Sequence, residues 1–170
     1  MKATPALSRI GLSLALALTL ACVSTAPALA PDLEALVDES QNLEGLLNRY
    51  STVEGNERSS EGYTTFRAWF EPKKGLLIVK ADTKDIDGNR RQTFAYYRND
   101  QPFYGVEWQE LQFSGKTELQ VFLDASGNVI GSRSERDGAL AAMPEGEPGG
   151  LAQRLHAMKD DAFRARAANQ

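Results

Sequence analysis

The sequence predicts an α+β domain in which a six-stranded antiparallel meander lies between an N-terminal and a C-terminal helix. Three observations predict it. Strand-like runs recur from residue 63 to residue 136, separated by turns too short to hold crossover helices, so a parallel sheet is excluded. Apolar residues at three- and four-residue steps precede these runs, and a second such pattern follows them after a Gly/Pro break. The alternative architecture is a small antiparallel β-barrel closed by strands one and six.

The first element is not part of that domain. Lys2 and Arg9 supply a positive n-region, and Ile10 to Ala21 is an uncharged apolar run. As a helix, twelve residues rise only about 18 Å, too short to span a bilayer core comfortably. This is the form of a secretory signal, residues 1–21. Two ordinary cleavage sites with small residues at −3 and −1 end at Ala26 and Ala30, and each puts proline (Pro27 or Pro31) at +1. Proline there resembles a known block to that peptidase. Thr19-Leu20-Ala21 before Cys22 resembles a bacterial lipoprotein box, with Thr19 where that family usually has Leu.

The resemblance implies that Cys22 receives a diacylglyceryl group and becomes the new N-terminus. Val23 in place of Asp implies an outer-membrane lipoprotein facing the periplasm of a Gram-negative cell. The alternative is a soluble periplasmic protein cut at Ala26 or Ala30. Cys22 is the only cysteine, so no disulfide staples the core. Residues 22–31, rich in Ala and Pro, read as a lipidated tether, leaving 32–170 as one domain.

Within that domain, Leu33, Leu36, Val37, Ser40, Leu43, Leu47 and Tyr50 share one face of a helix predicted over 32–50. Asp32 and Glu34 suit its positive end. Residues 51–62 read as a polar connection. Strands follow at 63–70, 76–84, 90–98, 103–111, 116–124 and 129–136. The turns 85–89 and 124–128 share the form Asp-x-x-Gly-Asn. Counting an EF-hand loop from either glycine puts Phe94 at position 12 or Phe122 at position 1, so neither copy has calcium ligands where they are needed. Gly88 and Gly127 instead suit positive φ in tight hairpins. After the break at 145–150, Leu151, Leu155, Met158 and Ala162 line a last helix over 150–166. Both helices are expected on one sheet face.

Charge and motif content narrow the function. The formal net charge is −4, and removing Lys2 and Arg9 with the signal takes it to −6, so phosphate backbones are repelled and nucleic acid is not an expected partner. His156 is the single histidine and reads as a helix-surface residue. No nucleophile elbow, zinc helix or phosphate loop occurs, and no metal site, cofactor or catalytic residue is expected. Glu107 and Glu110 flank Trp108 and are the one candidate carboxylate pair for an alternative reading as a cell-wall hydrolase.

The hairpin 93–108 carries the clearest signal. With Asn99-Asp100 as its turn, alternation groups Ala95, Tyr97, Tyr104, Val106 and Trp108 on one face and Phe94, Tyr96 and Phe103 on the other. Both faces are aromatic, so either both are covered or one binds a partner. Tyr97, Tyr104 and Trp108 are the candidate partner-binding residues. The expected role is that of a non-enzymatic envelope lipoprotein holding a protein or glycan partner through its sheet. The oligomeric state is not legible in the sequence.

Overall fold

The computed structural model describes residues 31–59, 62–111 and 115–169. Helix α1 (Pro31–Glu44) leads through a 3-10 turn (Leu47–Arg49) into an open sheet of eight antiparallel strands in sequence order. These are β1 (Ser51–Ser59), β2 (Gly62–Glu71), β3 (Gly75–Asp85), β4 (Arg90–Arg98), β5 (Gln101–Leu111), β6 (Gly115–Leu123), β7 (Val129–Arg136) and β8 (Ala139–Ala141). Helix α2 (Glu147–Ala168) closes the chain. The α+β class is as expected, but the sheet has eight strands rather than six and does not close into a barrel.

The two additional strands have different origins. β1 occupies the segment read as a polar connection, because Val53 is its only large apolar residue. Pairing with β2 from Ser51↔Phe70 to Ser59↔Gly62 creates it. Gly55 makes room for its neighbour: a Cβ there would lie 2.3 Å from Phe66 Cζ. β8 is made by a local turn, Asp137-Gly138, whose φ values of 50° and 81° let Arg136 face Ala139 directly. The same geometry at Asn99-Asp100 (φ 52° and 60°) forms the expected two-residue turn between β4 and β5.

The twin turns Asp85–Asn89 and Asp124–Asn128 are built alike. In each, one aspartate oxygen accepts the asparagine backbone N–H at 2.9 Å and the other accepts its side-chain amide. These hydrogen bonds hold both carboxyls below the ordinary aspartate range. Gly88 and Gly127 take φ of 86° and 84°, the conformation their position demands.

Helix ends also differ from the periodicity. α1 stops at Glu44, since Gly45 follows and Leu46 N–H turns back to Leu43 O, tightening the chain into the 3-10 turn. α2 starts earlier than 150, because Pro148 is tolerated in a first turn whose N–H groups lack helical partners anyway.

The helices pack on opposite faces, not on one as expected. Leu151, Leu155, Met158 and Ala162 of α2 join Ala68, Phe70, Val79, Ala95, Tyr97, Leu119 and Val121 in one core. Leu33, Leu36, Val37 and Leu43 of α1 pack on Trp69, Ile78, Tyr96, Tyr104 and Phe122 in another. The physical reason lies in the strands. Adjacent residues such as Ala95 and Tyr96 point to opposite faces and both are apolar, so each face needs its own cover. Each fully buried Leu or Phe contributes about 1.5–3 kcal/mol, which two layers collect and one would forgo. α2 crosses the strands: His156 lies beside Gly127, Leu155 over Gly105, and Phe163 edge-on to Phe70 of β2.

A sheet face half covered by a helix

The strand register sorts the α1 face into rows that run across the sheet. The row Thr52, Trp69, Ile78, Tyr96, Tyr104, Phe122, Gly131 lies under α1. Next comes Glu54, Arg67, Lys80, Phe94, Val106, Gln120, Arg133, and then Asn56, Thr65, Asp82, Gln92, Trp108, Glu118, Glu135. The outermost row is Arg58, Tyr63, Lys84, Arg90, Glu110, Lys116. α1 packs on the first of these rows and on Phe94, leaving the outer rows open.

Those open rows form a groove of about 550 Å³ between Tyr63 and Trp108, floored by Asp82, Gln92, Lys84 and Arg90. Tyr63 is 46% exposed and Trp108 40%. The indole of Trp108 is held in place: its N–H donates to Glu118 at 2.9 Å, and its ring meets Phe94 edge-on at 5.3 Å. A ring fixed before binding loses little entropy when a ligand settles on it.

Charge in the groove is divided by row. The acids of the Trp108 row are engaged by neighbours in their own row and in the row beside α1. Asp82 accepts from Gln92 at 2.6 Å and pairs with Lys80 at 3.7 Å; Glu135 pairs with Arg133 at 2.5 Å; Glu118 accepts from Gln120 at 2.5 Å. The outermost row carries four cations against one carboxylate, Glu110. Among the described residues Arg58, Lys84, Arg90 and Lys116 form no ion pair, so their charge is free to meet a ligand.

Of the three aromatic residues expected at a binding surface, the structure brings only Trp108 to one. Tyr97 is 1% exposed and donates to Leu155 O of α2 at 2.7 Å. Tyr104 is buried on the opposite face, stacked on Tyr96 and Phe122 at 5.4 and 5.0 Å. The expected common face fails because the register shifts between Tyr96 and Tyr97: Tyr96 faces Tyr104 while Tyr97 faces Pro102, with Phe103 as the extra residue. Burial raises all three tyrosine hydroxyls of this hairpin well above their ordinary pKa; the bond from Tyr96 to Glu44 of α1 adds to its shift.

Glu107 and Glu110 do not form a catalytic pair. Three residues apart on one strand, they point to opposite faces: Glu107 is fully buried toward α2 and Glu110 lines the groove. Among the described residues no cluster of three metal-ligating side chains occurs. Cys22 lies outside the described residues, and no described helix is long and apolar enough to cross a membrane.

Sequence reasoning missed Tyr63, Lys84, Arg90 and Lys116. Tyr63 and Lys116 stand second in β2 and β6, Lys84 second from the end of β3 and Arg90 first in β4, so counting outward from the hairpins would have aligned them. No family model, no curated protein and no solved structure matches this chain.

Proposed function

We propose that this chain is a small outer-membrane lipoprotein, anchored through Cys22, whose domain is a non-catalytic binding module. The partner, a protein segment or a glycan, lies on the open half of the α1 face. One observation carries this reading: Trp108 and Tyr63 stand exposed at the two sides of a groove that neither helix covers. Large amphipathic rings at an uncovered concavity favour ligands with both apolar faces and polar edges. The separation of Glu107 from Glu110 supports binding over hydrolysis.

The test has two arms. Labelled palmitate should enter the full chain and not the Cys22→Ser variant; an unlabelled wild type removes the anchor. Solubilised envelope proteins and isolated cell-wall glycan should each be offered to wild type and to Trp108→Ala. Binding of one of them that the variant loses, while its circular dichroism shows it still folded, supports the groove. Equal binding by the variant overturns it.

A further inference from the structure

We propose that this protein forms a two-fold dimer in which β1 of one copy pairs antiparallel with β1 of a second copy, centred on Asn56. The dimer lies outside the groove reading and does not rest on it.

The two edges of the sheet differ. At one edge β8 is three residues long, which leaves little for another strand to pair with. At the other, β1 has nine residues and no proline, and it pairs with β2 in an unbroken register from Ser51↔Phe70 to Ser59↔Gly62. Among the described residues no strand pairs with its outer side. A long, regular edge presents unpaired N–H and C=O groups and templates a further strand. Proteins that keep such an edge single shorten it, bulge it, break it with proline or place charges on it. Of these devices β1 has only charges.

Those charges select the occupant, because they are of both signs. Glu54 and Arg58 lie on the α1 face and Glu57 on the α2 face. Centring a two-fold pair on Asn56 puts Glu54 of each copy opposite Arg58 of the other. Centring on Glu54 or Glu57 opposes like charges, and centring on Val53 or Gly55 pairs no acid with a base within the strand. Among the described residues Arg58 has no ion pair in the single chain, and Glu54 shares its charge only with Arg67, both more than half exposed.

Space agrees with that register. The same centring places Glu57 of the second copy opposite Gly55, where no side chain blocks it. A cavity of about 300 Å³ opens there, bounded by Gly55, Phe66 and the last turns of α2, and Arg164 on its wall supplies a countercharge. The pair also closes on itself. It uses both long edges and leaves only the three-residue β8 edges, so assembly stops at two copies. Through Asn56, the row Asn56, Thr65, Asp82, Gln92, Trp108 runs on into its counterpart, and the two grooves share one continuous sheet face.

The experiment measures the mass of the detergent-solubilised full chain by sedimentation under reducing conditions, with circular dichroism as the check on folding. Wild type is expected to be a dimer. Glu54→Arg and Arg58→Glu each oppose like charges twice and should weaken association roughly tenfold. The exchange Glu54→Arg/Arg58→Glu should restore it. In a Cys22→Ser background, Asn56→Cys should form a reducible disulfide dimer, since opposed Cα atoms stand about 4.5–5.5 Å apart, within disulfide reach. Thr52→Cys, far from its counterpart in this register, should not.

A wild type that stays monomeric up to about 100 μM overturns the dimer. A dimer that survives both single variants, or an exchange that restores nothing, overturns the pairing of Glu54 with Arg58. No more disulfide at Asn56→Cys than at Thr52→Cys overturns the register, and this arm decides alone if a single variant fails to fold. The Trp108→Ala binding test stands apart from all of these outcomes.

Discussion

Arg154 of α2 grips both carboxylate oxygens of Glu107 on β5, with Nε to Oε2 at 3.0 Å and Nη2 to Oε1 at 2.9 Å. Glu107 is fully buried and also accepts from Thr93 at 3.0 Å and Gln109 at 2.7 Å, while Arg154 reaches Glu147 at 3.2 Å. This fork joins α2 to the middle of the sheet. Its structural duty accounts for the carboxylate nearest Trp108 in sequence.

Removing Arg154 leaves the buried Glu107 carboxylate with only the more distant Arg91, 3.6 Å away, as a countercharge. Arg154→Met is therefore expected to destabilise the fold by about 3 kcal/mol, read from denaturant midpoints. The double variant Arg154→Met/Glu107→Gln should regain part of that loss. Additive losses in the cycle would mean the two side chains do not act as a pair.

Gly105 of β5 lets Leu155 of α2 pack directly against the strand. A Cβ at this position would stand 2.4 Å from Leu155 Cδ1, so the leucine must move. Gly105→Ala is expected to cost about 1–3 kcal/mol by crowding. Combined with Leu155→Ala, the two losses should sum to less than their separate values, because the smaller side chain vacates the space. Strict additivity in thermal or denaturant unfolding would refute the contact.

The three aromatic residues singled out in the hairpin should separate by stability. Tyr97→Ala and Tyr104→Ala each empty a filled core site and are expected to cost about 3–5 kcal/mol. Trp108→Ala removes a half-exposed ring and its edge contact with Phe94, for about 1 kcal/mol. A Trp108 loss as large as that of Tyr97 would place the indole in the core and end its role in the groove.

Tyr96, Tyr97 and Tyr104 have folded pKa values raised by burial above their ordinary value of 10.0. The folded state holds these protons more tightly than the unfolded chain. Their contribution is whole below pH 10 and is lost as pH climbs through the raised folded values. In an alkaline titration, phenolate absorbance from these three should appear only together with loss of the circular dichroism of the sheet. Ionisation of all of them in a folded chain would contradict their burial.

Much of the architecture is local and was legible before folding. Positive-φ turns at Gly88, Gly127 and Asn99-Asp100 follow from residue chemistry within four or five positions, and they delimit β3 to β7. The Asp137-Gly138 turn carried the same signal and, read by the same rule, announces β8. β1 had no such signal, because an edge strand with one apolar side chain becomes a strand only when β2 is present to pair with it.

Of the groove, only Trp108 could be named from its own strand. What the chain settled by itself was composition and alternation: acidic charge, an uncharged apolar run ending just before a lone cysteine, an antiparallel meander with apolar residues on both sides. Tertiary structure decided which side each aromatic took, since the one-residue bulge at Phe103 exchanges faces for everything beyond it. It also decided how much of a face a fourteen-residue helix could cover, and so left Tyr63, Lys84, Arg90 and Lys116 to assemble across four strands in the open. Side chains far apart in sequence become neighbours through register alone, and register is a property of paired strands rather than of any single one.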